Sequence, residues 1–176
     1  MQNAIETDAL VIGAGPCGLF QAFELGLLGI SCHIVEALDH PGGQCAELYA
    51  DKPIYDIPGI PHTSASALVD LLLRQIEPFD TTIHYGQTAV AVETQSDGRI
   101  HLTTDTDASY ITRNLIVAAG VGAFSPVRLK VEGLSAYDGR QIHYREMPQY
   151  REKRVVVCGD TELAVATALQ LSLIHI

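Results

Sequence analysis

The sequence predicts an α/β protein: a Rossmann-like dinucleotide-binding domain with a β-meander, followed by the start of a second Rossmann-like domain. Three observations support this fold class. A glycine-rich loop joins a strand to a helix near the N-terminus, an alternating hairpin pattern occupies the middle of the chain, and a second strand–loop–helix pattern lies near its end. We place the first domain at residues 1–122 and the second at residues 123–176.

The first element is the apolar run Ala9–Ile12, which predicts a strand leading into a G-x-G-x-x-G loop. Gly13 permits the tight turn after the strand, and Gly15 lets a pyrophosphate approach the backbone. Gly18 lets the following helix pack on the sheet. Cys17 falls inside this phosphate loop, where the free N–H groups of a helix N-terminus bind anions.

The next elements complete a βαβ unit. The helix is predicted to end near residues 28–29, and the apolar run Cys32–Val35 predicts a second strand that closes on Glu36. An acid at this position accepts hydrogen bonds from a ribose 2′-hydroxyl. The complete unit indicates dinucleotide binding more strongly than the glycines alone, but it leaves FAD and NAD as alternatives, since both contain ribose and pyrophosphate.

Residues 37–61 contain no periodic pattern and are rich in turn formers. A connection of this length inside a compact domain is usually functional. Within it, Gly42 and Gly43 permit close approach of a flat ligand, Gln44 offers hydrogen-bond donors and an acceptor, and Tyr49 offers a ring face for stacking. An ordinary surface loop is the alternative.

The middle of the chain alternates between one amphipathic helix and several strands. The patterns predict a helix over 64–79, a strand over 81–85, a hairpin of 88–94 and 99–104 around Ser96–Asp97–Gly98, and a strand over 109–119. A βαβ start followed by such a β-meander is typical of a dinucleotide domain of a flavoprotein.

A second dinucleotide pattern begins after a polar connector. Residues 154–158 predict a strand, and residues 165–171 predict a helix, with a G-x-x-x-x-A loop from Gly159 to Ala164 between them. Thr161 stands where a middle glycine is expected. A side chain there restricts the approach of a pyrophosphate to the backbone.

Composition excludes several classes of protein. The chain has 176 residues, 47% of them hydrophobic, and a net charge of −10. These values indicate a folded domain and argue against nucleic-acid binding. We expect a cytoplasmic protein without signal peptide or membrane span. The four cysteines have no C-x-x-C or metal-ligand spacing, so we expect no metal site, and Ala50 stands where Cys45 would need its partner in a C-x4-C redox pair.

The motifs GAGPCGLF, GGQCAELYADKPIYDIPGIP, VAAGVGAFSP, IHY and RVVVCGDTELA together resemble the ferredoxin/flavodoxin–NADP reductases of the thioredoxin-reductase-like type. The resemblance implies an FAD-binding first domain, an NADP(H)-binding second domain, and electron transfer between NADPH and ferredoxin or flavodoxin. It implies no catalytic residue, because the protein's part is to position the flavin. The cofactor-binding residues it implies are Gly13, Gly15, Cys17, Gly18, Glu36, Gln44, Tyr49, Ala89 and Phe124 for FAD, and Gly159, Thr161 and Ala164 for NADP(H).

Two alternatives stay open. A thioredoxin-reductase-like enzyme would carry C-x-x-C before its second dinucleotide loop, where residues 143–150 contain no cysteine. A flavin-binding fragment without turnover is the other alternative, because the sequence stops soon after its second loop. We therefore expect weak or partial FAD binding and no reduction by NADPH above background. An exposed apolar face of residues 155–171 favours self-association or poor solubility, and we expect a homodimer.

Overall fold

A computed structural model describes residues 4–125, 127–144, 150 and 153–173. The chain divides into two compact units, Met1–Phe124 and Ser125–Ile176, called here the N-terminal and C-terminal units. The predicted α/β class is confirmed, with a Rossmann-like sheet in the N-terminal unit.

Eight strands lie in the described part of the N-terminal unit. They are β1 (Ile5–Ile12), β2 (Cys32–Val35), β3 (Pro53–Ile54), β4 (Thr63–Ser64), β5 (Thr81–His84), β6 (Ala89–Thr94), β7 (Ile100–Thr104) and β8 (Ser109–Val117). Six of them form one sheet in the order β5-β2-β1-β8-β7-β6, and β3 pairs with β4. Strands β5, β2, β1 and β8 run parallel, whereas β7 is antiparallel to both β8 and β6. The β-meander is therefore part of the same sheet, with β8 as the shared strand.

Helices α1 (Pro16–Leu27) and α3 (Ala65–Ile76) cover one face of the sheet, and a short α2 (Gln44–Glu47) lies between them in sequence. The core on this face is built from buried apolar residues of the helices and strands: Ala9, Val11, Ala14, Leu19, Ala22, Leu25, Cys32, Ile34, Leu68, Val69, Leu72 and Ile76. Gly26 makes room for a ring, because a Cβ on it would lie 2.3 Å from Phe79. The Ser64 hydroxyl accepts a hydrogen bond from the Ala67 N–H at 3.1 Å and caps α3.

The other face of the sheet has a smaller core. It consists of Leu10, Val35, Leu102 and Tyr110, which are at most 1% exposed. Leu102 and Tyr110 pair across β7 and β8, so the antiparallel part of the sheet contributes half of this cluster. The two cores together fix β1 and β2, whose carboxyl ends support the loops described below.

Two secondary-structure predictions need correction. The stretch 37–61 is not without regular structure, because it contains α2 and β3, whose four and two residues are too short for a periodic pattern. Residues 154–158 do not form the predicted strand, since no described strand lies beside them to complete a ladder. The predicted helix that follows is present as α4 (Glu162–Leu173), and the connector holds a 3₁₀ helix, Leu134–Tyr137. Residues 145–149 of the connector and 174–176 at the chain end lie outside the described residues.

Helices in the described ranges are all too short or too polar to cross a bilayer.

Candidate functional site

A cavity of about 770 Å³ opens at the carboxyl ends of β1, β2 and β8. Ile12 is paired with Val35 on one side and with Val117 on the other, so the three strand ends meet at one edge of the sheet. Ligands of open α/β sheets bind at this edge. The cavity is lined by residues of the N-terminal unit: Ile12, Gly13, Gly15, Pro16, Cys17, Gln21, Val35, Glu36, Ala37, Gly43, Gln44, Cys45, Gln87, Thr88, Ala89 and 116–124.

The glycine-rich loop forms the floor of the cavity. Gly13 has a φ of +102°, donates its N–H to the Val35 carbonyl at 2.8 Å, and would place a Cβ 2.5 Å from the Ala118 carbonyl oxygen. Gly18 lies behind the loop, where a Cβ would meet the Gly13 carbonyl oxygen at 1.9 Å, and it does not line the cavity. Both residues are glycine because backbone atoms occupy the space of a side chain.

Gly15 differs from these two glycines because open space lies beside it. It precedes the first residue of α1 with an ordinary φ of −72°, and the nearest atom to a Cβ would be the Gly43 Cα at 3.9 Å. The backbone at the start of α1 is thus exposed to the cavity with no side chain in front of it. A phosphate placed there would meet the N–H groups and the positive end of the helix dipole.

Glu36 joins the glycine-rich loop to the end of β2. Its side chain is 5% exposed; Oε2 accepts a hydrogen bond from the Ala14 N–H at 2.6 Å, and Oε1 accepts one from the Leu38 N–H at 2.8 Å. The carboxylate also lines the cavity. Each carboxylate oxygen can accept a further hydrogen bond, so the same group can bind a ligand hydroxyl.

A second glycine pair packs directly on the first loop. Gly42 donates its N–H to the Ala14 carbonyl at 2.8 Å, and a Cβ on Gly43, whose φ is +53°, would lie 3.2 Å from the Gly15 Cα. Gln44 follows directly and lies in the cavity wall. Its Nε2 is close to Gly120, at 3.7 Å from the position that a Cβ on Gly120 would take. The distant segments 13–18 and 42–45 therefore form one surface.

Cys17 and Cys45 both line this surface, Cys17 exposed and Cys45 partly buried. Burial raises the pKa of the Cys45 thiol, and the nearby Cys17 thiol raises it further. Cys32 lies in the core, where burial raises the pKa of its thiol to about 11. Within the described ranges, no group of three or more His, Cys, Asp or Glu side chains could hold a metal ion.

The remaining predicted residues fall in three places. Ala89 and Phe124 line the cavity. Tyr49 does not; its ring is 46% exposed, with the Lys52 ammonium 4.9 Å from the ring centroid. Gly159, Thr161 and Ala164 belong to the C-terminal unit, where the Ala164 N–H donates to the Thr161 carbonyl at 3.0 Å and approaches its hydroxyl at 3.4 Å.

Sequence reasoning missed Gln87 and Thr88, which line the cavity beside Ala89. They follow β5, and the Gln87 N–H donates to the Glu36 carbonyl at 2.9 Å. A usable signal was present: the predicted parallel strand ends just before them, and residues after parallel strands meet at the ligand-binding edge. Gln87 also accepts a hydrogen bond from the Tyr110 hydroxyl at 2.7 Å.

The chain is similar to named reductases over nearly its whole length. It is 49% identical to the ferredoxin–NADP reductase of Bradyrhizobium diazoefficiens over 97% of this chain and 51% of that protein. It is also 49% identical to that of Albidiferax ferrireducens over 96% of this chain and 48% of that protein. The chain thus spans about half the length of these relatives.

Solved structures share the fold. Thioredoxin reductase from Streptococcus pyogenes superposes with a TM-score of 0.58 at 27% identity, over 77% of this chain and 41% of that chain. Cyclohexanone monooxygenase gives a TM-score of 0.68 at 19% identity, over 98% of this chain and 37% of that chain, which shows the fold alone. The family described as pyridine nucleotide-disulphide oxidoreductase matches residues 7–175. Because this match covers nearly the entire sequence, the chain belongs to the pyridine nucleotide-disulphide oxidoreductase family.

Proposed function

We propose that the cavity binds FAD and that the protein is a reductase that passes electrons from NADPH to ferredoxin or flavodoxin. The observation that carries the dinucleotide assignment is the open backbone at Gly15, beside the start of α1 and the buried carboxylate of Glu36. The similarity to ferredoxin–NADP reductases supports FAD and NADPH over other dinucleotides.

The residues around the cavity fit FAD. Its volume of about 770 Å³ lies in the range of cavities that enclose small molecules. The exposed backbone at Gly15 would hold the pyrophosphate, and Glu36 would accept the ribose hydroxyls, with Ala89 on the adenosine side. Gln44 and Phe124 line the part of the cavity formed by the end of β8 and would hold the ribityl chain and the ring.

Bound FAD would supply hydride acceptance and the release of single electrons. The work of the chain is to bind and orient it. The hydrogen bond from the Ala14 N–H to the Glu36 carboxylate holds the glycine-rich loop against the end of β2, and the bond from the Gly42 N–H to the Ala14 carbonyl holds segment 42–45 against that loop. The residues that would hold the phosphates and the ring are therefore fixed relative to one another. Stacking of the Tyr49 ring on the flavin stays a prediction, because Tyr49 does not line the cavity and the Lys52 ammonium lies 4.9 Å from its ring centroid. No side chain of the cavity needs to move a proton.

The loop Gly159–Ala164 is our proposed site for part of NADP(H). It lies at the start of α4, where a helix N-terminus can bind a phosphate. One of these N–H groups, that of Ala164, already donates a hydrogen bond to the Thr161 hydroxyl. Phosphate binding at this loop would therefore compete with an existing cap, in contrast to the open backbone of Gly15.

A thioredoxin reductase is the competing function, favoured by the shared fold. The four cysteines, at positions 17, 32, 45 and 158, provide no C-x-x-C. Reduction of a thioredoxin disulfide by a nearby dithiol needs such a pair. The sequence therefore favours the one-electron carriers.

The substitution Gly15→Ala tests the site without disturbing the fold. The backbone of Gly15 is unstrained, and a Cβ at this position would meet no atom closer than 3.9 Å. The variant should therefore fold like the unsubstituted chain. The added methyl group should obstruct the pyrophosphate and weaken FAD binding by about 10-fold or more, equivalent to about 1.4 kcal/mol. FAD titration followed by flavin fluorescence measures this change.

Two results would count against the proposal. If the unsubstituted chain binds NAD and not FAD, the cofactor assignment is wrong, and equal FAD affinity of the Gly15→Ala variant removes the loop from the site. The electron carrier is tested in a protein of the relatives' full length that contains this chain. We expect NADPH-dependent reduction of ferredoxin or flavodoxin, and comparable turnover with thioredoxin would contradict that choice.

A further inference from the structure

Gln87 stands out among the cavity-lining residues because hydrogen bonds hold both its backbone and its side-chain oxygen. The backbone around it is held by three hydrogen bonds: Gly86 N–H to the Leu38 carbonyl at 2.9 Å, Gln87 N–H to the Glu36 carbonyl at 2.9 Å, and Thr88 N–H to the Asp105 carboxylate at 2.8 Å. These bonds join the segment after β5 to the end of β2 and to the turn before β8. The backbone that carries the Gln87 side chain is therefore held in place.

The side chain is oriented by Tyr110. The Tyr110 ring is fully buried in the core of the β-meander face, with the His84 ring edge-on at 5.2 Å between centroids. Its hydroxyl donates to Gln87 Oε1 at 2.7 Å. Because the oxygen of the amide is engaged, the Nε2 side of the group, with its two donors, points away from Tyr110.

Those donors have no protein acceptor among the residues that the structure describes, and Gln87 lines the cavity. The location in the cavity is informative as well. Gln87 is bonded through its backbone to Glu36 and lies beside Ala89, the end of the cavity that would receive a ribose and a base. Gln87 is partly buried, so water in the open cavity can accept from these donors, and an acceptor atom on a bound ligand would replace that water.

We propose that Gln87 is a specificity-determining residue that donates a hydrogen bond to the adenosine half of the bound dinucleotide, with Tyr110 as its positioning residue. The inference rests on the proposed function, since it takes FAD to be the ligand. Adenine ring nitrogens and ribose oxygens are acceptors, and the oriented amide favours either over a donor. The flavin half of FAD would lie away from this group, at the end of the cavity near Gln44 and Phe124.

The test compares ligands that contain the adenosine half with one that lacks it. In Gln87→Glu the carboxylate still accepts from the Tyr110 hydroxyl, so the core contact is kept, but the donors are lost. We expect the dissociation constants of FAD and ADP to rise by about 3- to 10-fold, the loss of one hydrogen bond, and that of FMN to change by less than about 2-fold. Calorimetric titration of the 176-residue chain measures all three.

Two further variants separate a binding role from a structural one. Gln75→Glu makes the same charge change on the exposed face of α3, away from the cavity, and should leave all three dissociation constants unchanged.

Tyr110→Phe keeps the buried ring but releases the Gln87 amide. It should weaken the binding of FAD and ADP by about 2- to 5-fold, while the dissociation constant of FMN stays the same. Loss of affinity for all three ligands in equal measure would overturn the inference in favour of a structural role.

ADP binding separates a failure of the Gln87 proposal from a failure of the flavin assignment. If the unsubstituted chain binds ADP but not FAD, the flavin assignment fails, and the effect of Gln87→Glu on ADP still decides the role of Gln87. Unchanged ADP and FAD binding in Gln87→Glu overturns the inference and leaves the flavin assignment intact.

Discussion

Glu36, which we propose as a ligand contact, also holds the glycine-rich loop in place. Both of its oxygens accept backbone hydrogen bonds, one from Ala14 in the glycine-rich loop and one from Leu38 after its own strand. If a residue contacted only a ribose, its removal would not change the stability of the unliganded protein. The two hydrogen bonds make the carboxylate part of the fold even before a ligand arrives.

We therefore expect Glu36→Ala to lower the stability of the unliganded chain as well as its FAD affinity. Two buried N–H groups would lose a charged acceptor, which costs about 1–3 kcal/mol in the free energy of unfolding. Urea denaturation without cofactor measures this loss, and Glu24→Ala, an exposed position on α1, is the matched control. Unchanged stability of Glu36→Ala together with weaker FAD binding would restrict Glu36 to a ligand contact.

At the scale of elements, β2 and β5 are joined by a pair of histidines as well as by their backbone ladder. The His33 Nδ1 and His84 Nε2 atoms are 2.8 Å apart, and the two rings are stacked with centroids at 5.1 Å. A hydrogen bond between them requires at least one neutral ring. Burial lowers the pKa of both side chains; His33 lowers that of His84 further, while Asp80 partly offsets the shift at His33.

This pair should make stability depend on pH. Unfolded histidine titrates near 6.5, and the folded pair does so at lower pH, so the unfolded chain binds more protons in this window. The contribution to stability is present above about pH 6.5 and is lost as the pH falls through the folded pKa values. We expect the thermal midpoint to fall between pH 7.5 and 5.5, and to fall less in His84→Phe, which keeps an aromatic ring. His62→Phe, at an exposed position, is the control, and equal pH dependence of His84→Phe and the unsubstituted chain would exclude the pair as the cause.

Elements with strong local patterns could be predicted, and elements defined by their neighbours could not. The order of β1, the glycine-rich loop, α1, β2 and Glu36 follows from the sequence, because each step has its own local signature. The hydrogen bond from Tyr110 to Gln87 joins β8 to the loop after β5, two strands that β2 and β1 separate in the sheet, and no local pattern encodes it. The apolar run at 154–158 has the composition of a strand but no partner in the described residues, and composition cannot supply one.

Ligand binding should stabilise the entire N-terminal unit. The cavity is formed by the ends of the strands that carry both cores, so FAD bound there, as proposed, would contact a surface that exists only when these strands are assembled. At 100 times the dissociation constant, a ligand of the native state adds about 2.7 kcal/mol, which raises the thermal midpoint of the chain by about 5–10 °C. Differential scanning fluorimetry with increasing FAD measures the shift. If the thermal midpoint stays the same at FAD concentrations that saturate the change in flavin fluorescence, the flavin binds away from the assembled strands.

The pairing of β1 with β8 also has a consequence for how the protein is made. Ile5 lies opposite Tyr110, so the central pair of the sheet joins residues that are synthesised far apart in time. At about 5–20 residues per second, the interval on the ribosome is about 5–20 s. During that interval β1 has only β2 as a neighbour, and the cavity lacks the wall that β8 provides. If the cavity binds FAD as proposed, a nascent chain can complete this site only after Val117 has left the ribosomal tunnel, and until then the edge of β1 that pairs with β8 stays unpaired.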